Sequence, residues 1–286
     1  MKSLDWDEKG IRVDGKFFSN LRSADDIVIF AKSTTGAKTM LRELKETGRK
    51  IGLHINRKKT QFMKNSWCDR GHIELDGSPI AETKSYVYLG RSMNMDNDMK
   101  EELIRRRRAA WSAFGSLKEA IDQLHDADLR AHLFDSTVLL ALYYAAETWP
   151  DISTPQARSL QVTHRALERC LLKFTRLSQH RAGLRSSDLR QMSRLRDPAD
   201  YTSKARHRWA GHIMRRDDDR WTRRTVEWLS RDCTRHRGRP PARWSDVFVE
   251  RIETMLYSRT ADSRLRHSRL RPTSWMTIAR QRREWK

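Results

Sequence analysis

The sequence of 286 residues has only three cysteines and no long apolar run. Cys68, Cys170 and Cys233 are far apart and odd in number, which argues against a disulfide framework and favours a reducing compartment. No uninterrupted apolar stretch, signal peptide or lipidation motif is present, so no membrane attachment is expected. Together these absences predict an intracellular protein, either cytoplasmic or nuclear.

Glycine-rich phosphate loops, coiled-coil heptads and solenoid repeats are also missing, and no histidine has the Ser or Cys partner pattern of a hydrolase. His207, His212, Cys233 and His236 have the number needed for a zinc site. However, the two histidines are five residues apart, which takes them off a common helical face. The pattern therefore favours ordinary polar helix and loop residues over a zinc site.

Acidic residues are scarce relative to basic ones. The chain has 58 Lys and Arg against 37 Asp and Glu, a net charge of +21. The excess is uneven, since residues 1–100 carry net +5 and residues 101–286 carry net +16. A charge of this size, with Arg predominating in the second part, favours nucleic acid as the partner. A membrane surface is the weaker alternative.

Short runs of β-branched and aromatic residues near the start of the chain predict strands joined by tight turns. Asp14-Gly15 and Asp76-Gly77 each lie between apolar residues, a pattern typical of hairpins. Ser33, Thr34 and Thr35 can each cap a helix, which is predicted to run to Gly48 or Gly52. Strands are predicted over 53–55 and 86–89.

The apolar period changes at Asp98 to that of a long helix, with Leu103, Trp111 and Phe114 on its apolar face. Two more helices are predicted over 127–144 and 156–177. Strands around one helix, followed by helices alone, are typical of an α+β fold.

Two adjacent carboxylates, Asp25 and Asp26, interrupt the apolar β-prone stretch 21–32. Asp is common in tight turns, so the pair is predicted to lie at a hairpin tip. Hard cations such as Mg²⁺ are often held by one or two carboxylates together with substrate phosphates. Two such metals can clamp the attacking and leaving oxygens of a phosphoryl transfer. On composition alone a simple polar turn is favoured, so the metal interpretation depends on the rest of the chain.

Several short motifs occur in a fixed order along the chain. They are Ala24-Asp25-Asp26 between apolar strands, GLHIN at 52–56 followed by Lys59-Thr60, VYLG at 87–90, Glu147-Thr148-Trp149, Trp209-Ala210-Gly211-His212, and GRPPARW at 238–244. In this order and spacing the chain resembles the C-terminal part of the reverse transcriptase of non-LTR retrotransposons of the endonuclease/reverse-transcriptase type. The resemblance covers nearly the full chain.

The resemblance implies an α+β fold in which a partial reverse-transcriptase palm, made of antiparallel strands plus a helix, precedes an all-helical thumb. We expect residues 1–95 to form the C-terminal half of the palm with its primer-grip hairpin, and residues 96–180 to form the thumb. Residues 181–286 are then a basic, helical C-terminal region rich in Trp and Arg.

The resemblance also implies that Asp25 and Asp26 hold part of a two-metal site that binds Mg²⁺ in the intact enzyme, with Asp25 as the principal ligand. Lys59 matches a basic position where a lysine can stabilise phosphate charge or donate a proton to the leaving pyrophosphate. A solvated turn lysine is the alternative for Lys59.

Two further segments are expected to contact the RNA template and DNA primer. One matches the primer grip and the other is a run of four arginines on the thumb helix, which would bind phosphates. For the arginines the alternative is a solvated helix face, and one or two of the four must point toward the core. These candidate residues are Tyr88, Leu89, Gly90, Arg105, Arg106, Arg107 and Arg108. The tryptophans beyond residue 181 are expected to be mostly buried anchors, with base stacking as the alternative.

Two features depart from the family pattern. Ser23 replaces the aromatic residue that usually precedes Ala-Asp-Asp, which could loosen nucleotide or primer packing. The family also has a further catalytic aspartate and the fingers before this turn, whereas Asp5, Asp7 and Asp14 lie in no matching context. Since near-octahedral Mg²⁺ needs ligands from more than one direction, the chain alone is expected not to polymerise DNA.

Three hypotheses follow. The chain is the downstream part of a polymerase whose N-terminal half is missing, or it is a non-catalytic basic nucleic-acid-binding remnant. The third hypothesis is a decayed reading frame, whose product would not melt cooperatively.

Overall fold

The computed structural model divides the chain into two units, the first of which is built from two separate segments. Unit 1 comprises Met1–Asp98 together with Asp217–Arg237, and unit 2 comprises Met99–Arg216 together with Gly238–Lys286. The structure describes residues 4–69, 71–150, 152–218, 220–228, 243–249, 275–283 and 285.

Unit 1 contains short strands that pair two by two. They are β1 (Ile11–Val13), β2 (Lys16–Phe18), β3 (Asn20–Ser23), β4 (Asp26–Ile29), β5 (Gln61–Phe62), β6 (Glu74–Leu75), β7 (Ser78–Pro79), β8 (Ala81–Glu82), β9 (Ser85–Tyr88) and β10 (Arg91–Asn94). The pairs β1–β2, β3–β4, β6–β7 and β9–β10 are antiparallel, whereas β5 and β8 are parallel.

The hairpin turns in unit 1 follow from their residues. Asp14 and Gly15 have φ of 48° and 78°, and Asp76 and Gly77 have φ of 57° and 69°. The favoured two-residue hairpin turn requires positive φ at both central residues. Asp followed by Gly adopts these angles at a low conformational energy. The predicted β1–β2 and β6–β7 hairpins are confirmed. The hairpin that the resemblance implies at Tyr88-Leu89-Gly90 is formed by β9, which the sequence predicted at 86–89, and β10.

Helix α1 (Thr34–Arg49) begins after Ser33, the first of the three predicted caps. Oγ of Ser33 accepts a hydrogen bond from the Gly36 N–H at 3.1 Å, which caps the helix, and Met40, Leu41 and Leu44 are buried on its inner face. Leu44 lies four residues after Met40 and three after Leu41, the spacings that place side chains on one face of an amphipathic helix.

The strand predicted over 53–55 is wrong. The Leu53 N–H donates to the Gly48 carbonyl at 2.9 Å, so this backbone closes the end of α1 instead of joining a ladder. The Leu53 side chain is 58% exposed. A triplet with two aliphatic residues does not distinguish a strand from a helix terminus.

Small apolar clusters hold unit 1 together. Leu41 packs with Ile73, Leu75 and Ile80, while Met40 and Leu44 pack with Trp6 on the other side of α1. Each buried aliphatic side chain contributes about 1.5–3 kcal/mol. Helix α1 thus joins the β6–β7 hairpin to the start of the chain.

Helix α9 (Trp221–Glu227) lies in the second segment of unit 1 and packs on the first hairpin. The Trp221 and Phe18 ring centroids are 4.7 Å apart, and the Phe18 ring stacks on Phe30 at 4.5 Å. Arg224 also lies 3.8 Å from Asp14. Residues far apart in the sequence therefore build one aromatic contact in unit 1.

Unit 2 is helical within the described residues. Its helices are α2 (Lys100–Gln123), α3 (Ala127–Phe134), α4 (Leu140–Leu142), α5 (Thr154–Leu171), α6 (Arg176–Arg181), α7 (Ser186–Ser193), α8 (Pro198–Met214) and α10 (Trp275–Arg280).

The helix predicted over 127–144 is nearly complete. It runs from α3 through a π-helical turn at Asp135–Leu139 into α4 and ends at Leu142, shortly before Ala145 with its left-handed φ of 55°. The helix predicted over 156–177 is shorter than expected, since α5 ends at Leu171 and Thr175 caps the separate helix α6. The end of α5 is a local backbone feature that the apolar period does not reveal.

The core of unit 2 lies between α2, α5 and the segment from α3 to α4. Phe134, Val138, Leu142 and Leu167 are fully buried there. A second, aromatic cluster joins α8 to the C-terminal residues through the rings of His207, Trp244, Phe248, Trp275 and Trp285.

The described chain is thus an α+β protein of helices with small, mostly antiparallel strand pairs, which confirms the predicted class. None of the helices in the described residues has the length and apolar character needed to span a bilayer.

Candidate functional site

The two carboxylates lie at the tip of the β3–β4 hairpin, as predicted. Ser23 pairs with Asp26, so Ala24 and Asp25 form the two-residue turn and Asp26 is the first residue of β4. Ala24 has a φ of 49°, a left-handed conformation that costs a non-glycine residue about 1 kcal/mol. Asp25 and Asp26 are both exposed. The ladder therefore presents the two carboxylates to solvent from a fixed backbone.

The charge of the turn acts on the second predicted hairpin. Burial raises the pKa of the Tyr88 hydroxyl, and the negative charge of Asp26 raises it further. Leu89 and Gly90, with φ of 48° and 80°, form the turn between β9 and β10, and Leu89 is exposed. Tyr88 is thus within electrostatic reach of Asp26, although the two are far apart in the sequence.

Lys59 lies in the turn that follows the end of α1. Its backbone N–H donates to the side-chain oxygen of Asn56 at 3.2 Å, and its side chain is exposed. No contact between Lys59 and either carboxylate is present in the described part of unit 1. Lys59 therefore remains a candidate, but the described residues show no contact between it and the Asp25-Asp26 turn.

The donor set at the turn fits a hard cation in part. Two exposed carboxylates supply the oxygen ligands that Mg²⁺ takes, with phosphates and water as the usual remaining ligands. Asp5 and Asp7 instead line a depression beside Glu43, and Asp14 lies near Arg224. Within the described ranges no three His, Cys, Asp or Glu side chains group to hold a metal. Asp25 and Asp26 would therefore supply one side of a metal site.

The four consecutive arginines of α2 point to different sides of the helix. Nε of Arg106 lies 2.8 Å from Oε1 of the fully buried Glu102, and Nη1 of Arg105 lies 3.3 Å from Oε2. Arg106 is itself buried, with its guanidinium 4.9 Å from the centre of the Tyr144 ring. These two arginines are held by the carboxylate of Glu102.

Arg107 and Arg108 are exposed on the opposite side of the same turn. Trp111 lies one turn further on and is 42% exposed, so its prediction as part of the apolar face was wrong. The reason is that Phe114, which contacts Trp111 edge-to-face at 6.5 Å, occupies the core position instead. The spacing of Trp111 from Arg107 and Arg108 was a signal that the sequence analysis missed.

The two described histidines of the candidate zinc set have different partners. Nδ1 of His207 lies 2.7 Å from the Ser203 carbonyl, whereas the His212 ring stacks on Trp209. Cys233 and His236 lie outside the described residues.

Most of the predicted tryptophan anchors are at least partly buried. Trp275 is buried in the aromatic cluster of unit 2, and Nε1 of Trp285 donates to the His207 carbonyl at 2.6 Å. Trp228 is the exception, at 40% exposed.

Comparison with known proteins covers both the carboxylate turn and the whole chain. Residues 19–93, which contain β3, β4, β9 and the Asp25-Asp26 turn, match the family described as reverse transcriptase (RNA-dependent DNA polymerase). Enzymes of that family are in general divalent-metal-dependent polymerases that act on nucleic acids.

A curated relative is the transposon-derived protein F52C9.6 of Caenorhabditis elegans. It is 39% identical over 280 residues, which cover 96% of this chain and 96% of the relative. No solved structure matches the chain significantly. Because identity at this level extends over nearly the whole length, the chain belongs to the retrotransposon-derived, reverse-transcriptase-like proteins.

Proposed function

We propose that the chain is part of an RNA-directed DNA polymerase of a non-LTR retrotransposon, with two-metal nucleotidyl transfer as the reaction of the intact enzyme. One observation carries this proposal: the Asp25-Asp26 turn lies within the family match and exposes both carboxylates at the tip of the β3–β4 hairpin.

In this proposal Asp25 and Asp26 would hold Mg²⁺, which would supply positive charge to neutralise the phosphates of the incoming nucleotide. The β3–β4 ladder fixes the backbone of both ligands, which keeps their reorganisation small. Lys59 supplies positive charge, or a proton, toward the leaving pyrophosphate. Tyr88, Leu89 and Gly90 hold the primer strand next to the carboxylates.

We assign residues 1–95 to the C-terminal half of the palm, 96–180 to the thumb and 181–286 to a basic C-terminal region. The division of the chain between Asp98 and Met99 supports the first of these boundaries. The C-terminal region contributes to both units, since Asp217–Arg237 belongs to unit 1.

We further propose that this chain works with a polymerase half that carries the fingers and another catalytic aspartate. The support is that no third metal-binding side chain lies with Asp25 and Asp26 among the described residues. On this view the 286 residues alone do not extend a primer.

Primer extension by a polymerase that contains this chain tests the proposal. The chain is expressed behind an upstream palm and fingers segment of a related element, and extension of a DNA primer on an RNA template is measured. Asp25→Ala should lower the rate at least about 100-fold, since charge stabilisation at the reacting phosphates is lost.

Asp14→Ala is the matched control, because Asp14 also lies in a two-residue hairpin turn of unit 1. It should leave extension unchanged. Equal rates for Asp25→Ala and the parent protein would refute the site assignment.

The charge distribution favours a second candidate function, a non-catalytic nucleic-acid-binding module. This module would bind oligonucleotides with an affinity that falls steeply as salt is raised and does not respond to Mg²⁺. Binding isotherms between 50 and 200 mM salt, with and without Mg²⁺, distinguish the two candidates. An affinity that does not change with salt would exclude the module.

A further inference from the structure

An exposed aromatic ring lies among arginines on one face of α2. We call the residues Ile104, Arg107, Arg108 and Trp111 the α2 stripe. They are spaced by three or four residues, so they share one side of the helix. They line an open depression of about 380 Å³, within the range of about 300–1,000 Å³ typical of ligand sites.

The Trp111 side chain is held in place while part of its ring stays open to solvent. It contacts Phe114 edge-to-face, with ring centroids 6.5 Å apart and planes at 89°, and Phe114 is buried in the core of unit 2. Ile104 is also exposed, at 48%. An anchored, half-exposed indole beside an aliphatic side chain is a surface on which a flat ring can stack.

The Arg107 side chain is held in one orientation by hydrogen bonds within unit 2. Its Nε donates to Oγ1 of Thr163 at 2.9 Å, and its Nη1 donates to Oγ of Ser159 at 3.3 Å, both from α5. A guanidinium has five N–H groups, so donors remain for a phosphate or a base edge. Holding a long side chain in advance lowers the entropic cost of binding.

Arg108 completes the charge of the stripe. It is exposed and forms no hydrogen bond or ion pair with the described part of the chain. Arg105 and Arg106 instead form ion pairs with Glu102. The basic surface of α2 is thus centred on Trp111 and not on the four-residue arginine run as a whole.

We propose that the α2 stripe binds single-stranded nucleic acid, with one base stacked on Trp111 and the adjacent phosphates on Arg107 and Arg108. The proposal rests on the proposed function. It adds that the bound nucleic acid is single-stranded and that one of its bases stacks on Trp111. A polyanion fits the net +16 of residues 101–286. A single strand is favoured because base faces are open only outside a duplex stack.

The experiment compares two labelled DNA strands of equal length and charge, one with bases and one abasic, by fluorescence anisotropy with the full chain. Trp111→Ala is the test variant. Trp228→Ala is the matched control, since Trp228 is similarly exposed and lies in unit 1. Thermal melting of both variants verifies that they are folded.

Trp111→Ala should weaken binding of the base-bearing strand by roughly 5- to 150-fold and leave binding of the abasic strand nearly unchanged. Trp111→Phe should retain most of the affinity. Arg108→Ala should weaken both strands and lower the salt slope by about one.

Equal affinities of Trp111→Ala and the parent chain for the base-bearing strand would overturn the proposal while leaving salt-dependent binding, and so the proposed function, intact. A parent chain that binds neither strand would overturn both. If Trp111→Ala changed the oligomeric state and not the affinity, the stripe would be a protein interface and the proposal would be wrong.

Discussion

Nε of Arg106 lies 2.8 Å from Oε1 of Glu102, and both side chains are buried in unit 2. Arg105 contacts the other oxygen of the same carboxylate. A buried charge is tolerated only while it is paired, and removing one partner costs more than the pair contributes. Glu102 therefore sets which arginines of α2 face solvent.

Glu102→Gln should lower the free energy of unfolding by about 3–5 kcal/mol, because Arg106 is then left buried without its counter-charge. Urea unfolding measures this loss. Glu101→Gln is the control, since Glu101 is exposed on the same turn and its change should stay within about 0.5 kcal/mol. Equal stabilities of the two variants would show that the Glu102–Arg106 pair is solvated.

Gly211 on α8 lies directly against Trp285. A Cβ at Gly211 would lie 2.7 Å from Cδ1 and 2.9 Å from Nε1 of that indole. Gly211→Ala should therefore destabilise the protein by about 1–3 kcal/mol, because Trp285 must move and its hydrogen bond to His207 is strained. Denaturant unfolding measures the effect.

Gly115 on α2 is the control for Gly211. A Cβ at Gly115 would meet nothing within 4 Å, so Gly115→Ala should stabilise the helix by about 0.5–1 kcal/mol. Opposite signs for the two variants are expected. A stabilising Gly211→Ala would contradict the packing of Trp285 on α8.

His164 should make stability depend on pH. Burial, with a smaller contribution from the nearby Arg190 charge, lowers the pKa of His164 to about 4. Both ring nitrogens are buried without a hydrogen-bond partner in the described residues. An unfolded histidine titrates near 6.5, so between pH 6.5 and 4 the unfolded chain binds more protons than the folded chain.

Stability should accordingly be full above pH 6.5 and fall by about 3 kcal/mol as the pH is lowered to about 4. Denaturant unfolding between pH 7 and 4 measures the slope. His164→Leu should flatten it, whereas His125→Leu, at an exposed position, should not. An unchanged slope in His164→Leu would place the titrating group elsewhere.

The contact between Phe18 and Trp221 should support the first hairpin. Trp221→Ala should destabilise unit 1 by about 1–3 kcal/mol, because a half-buried indole and an aromatic pair are lost. Limited proteolysis should then cut residues 11–18 faster than in Trp228→Ala. Equal cleavage of the two variants would argue against the contact.

Local chemistry explains which elements were predictable. Asp14-Gly15 and Asp76-Gly77 each specify a turn through the two residues that form it. Ser33 caps α1 by accepting a hydrogen bond from Gly36, three residues later. The stretch 53–55 is not a strand, because the Leu53 backbone closes the end of α1. Its pattern could not show this, because the hydrogen bond to Gly48 depends on how the chain turns at Gly52.

The candidate site was predictable only in part. The turn at Asp25-Asp26 follows from local sequence, and the resemblance indicated the hairpin at Tyr88. The proximity of Tyr88 to Asp26 and the burial of Glu102 depend on tertiary packing, which no local pattern contains. Trp111 was misplaced because Phe114, three residues on, satisfies the same apolar period.

Unit 1 takes its last helix from beyond the first segment of unit 2. Because Phe18 and Asp14 contact Trp221 and Arg224, the first hairpin has no complete set of neighbours until α9 has been synthesised. During translation this hairpin must therefore remain partly exposed while the whole of Met99–Arg216 emerges from the ribosome. Contacts of such long range fold slowly, so the first hairpin should mature after the helices of Met99–Arg216 have formed.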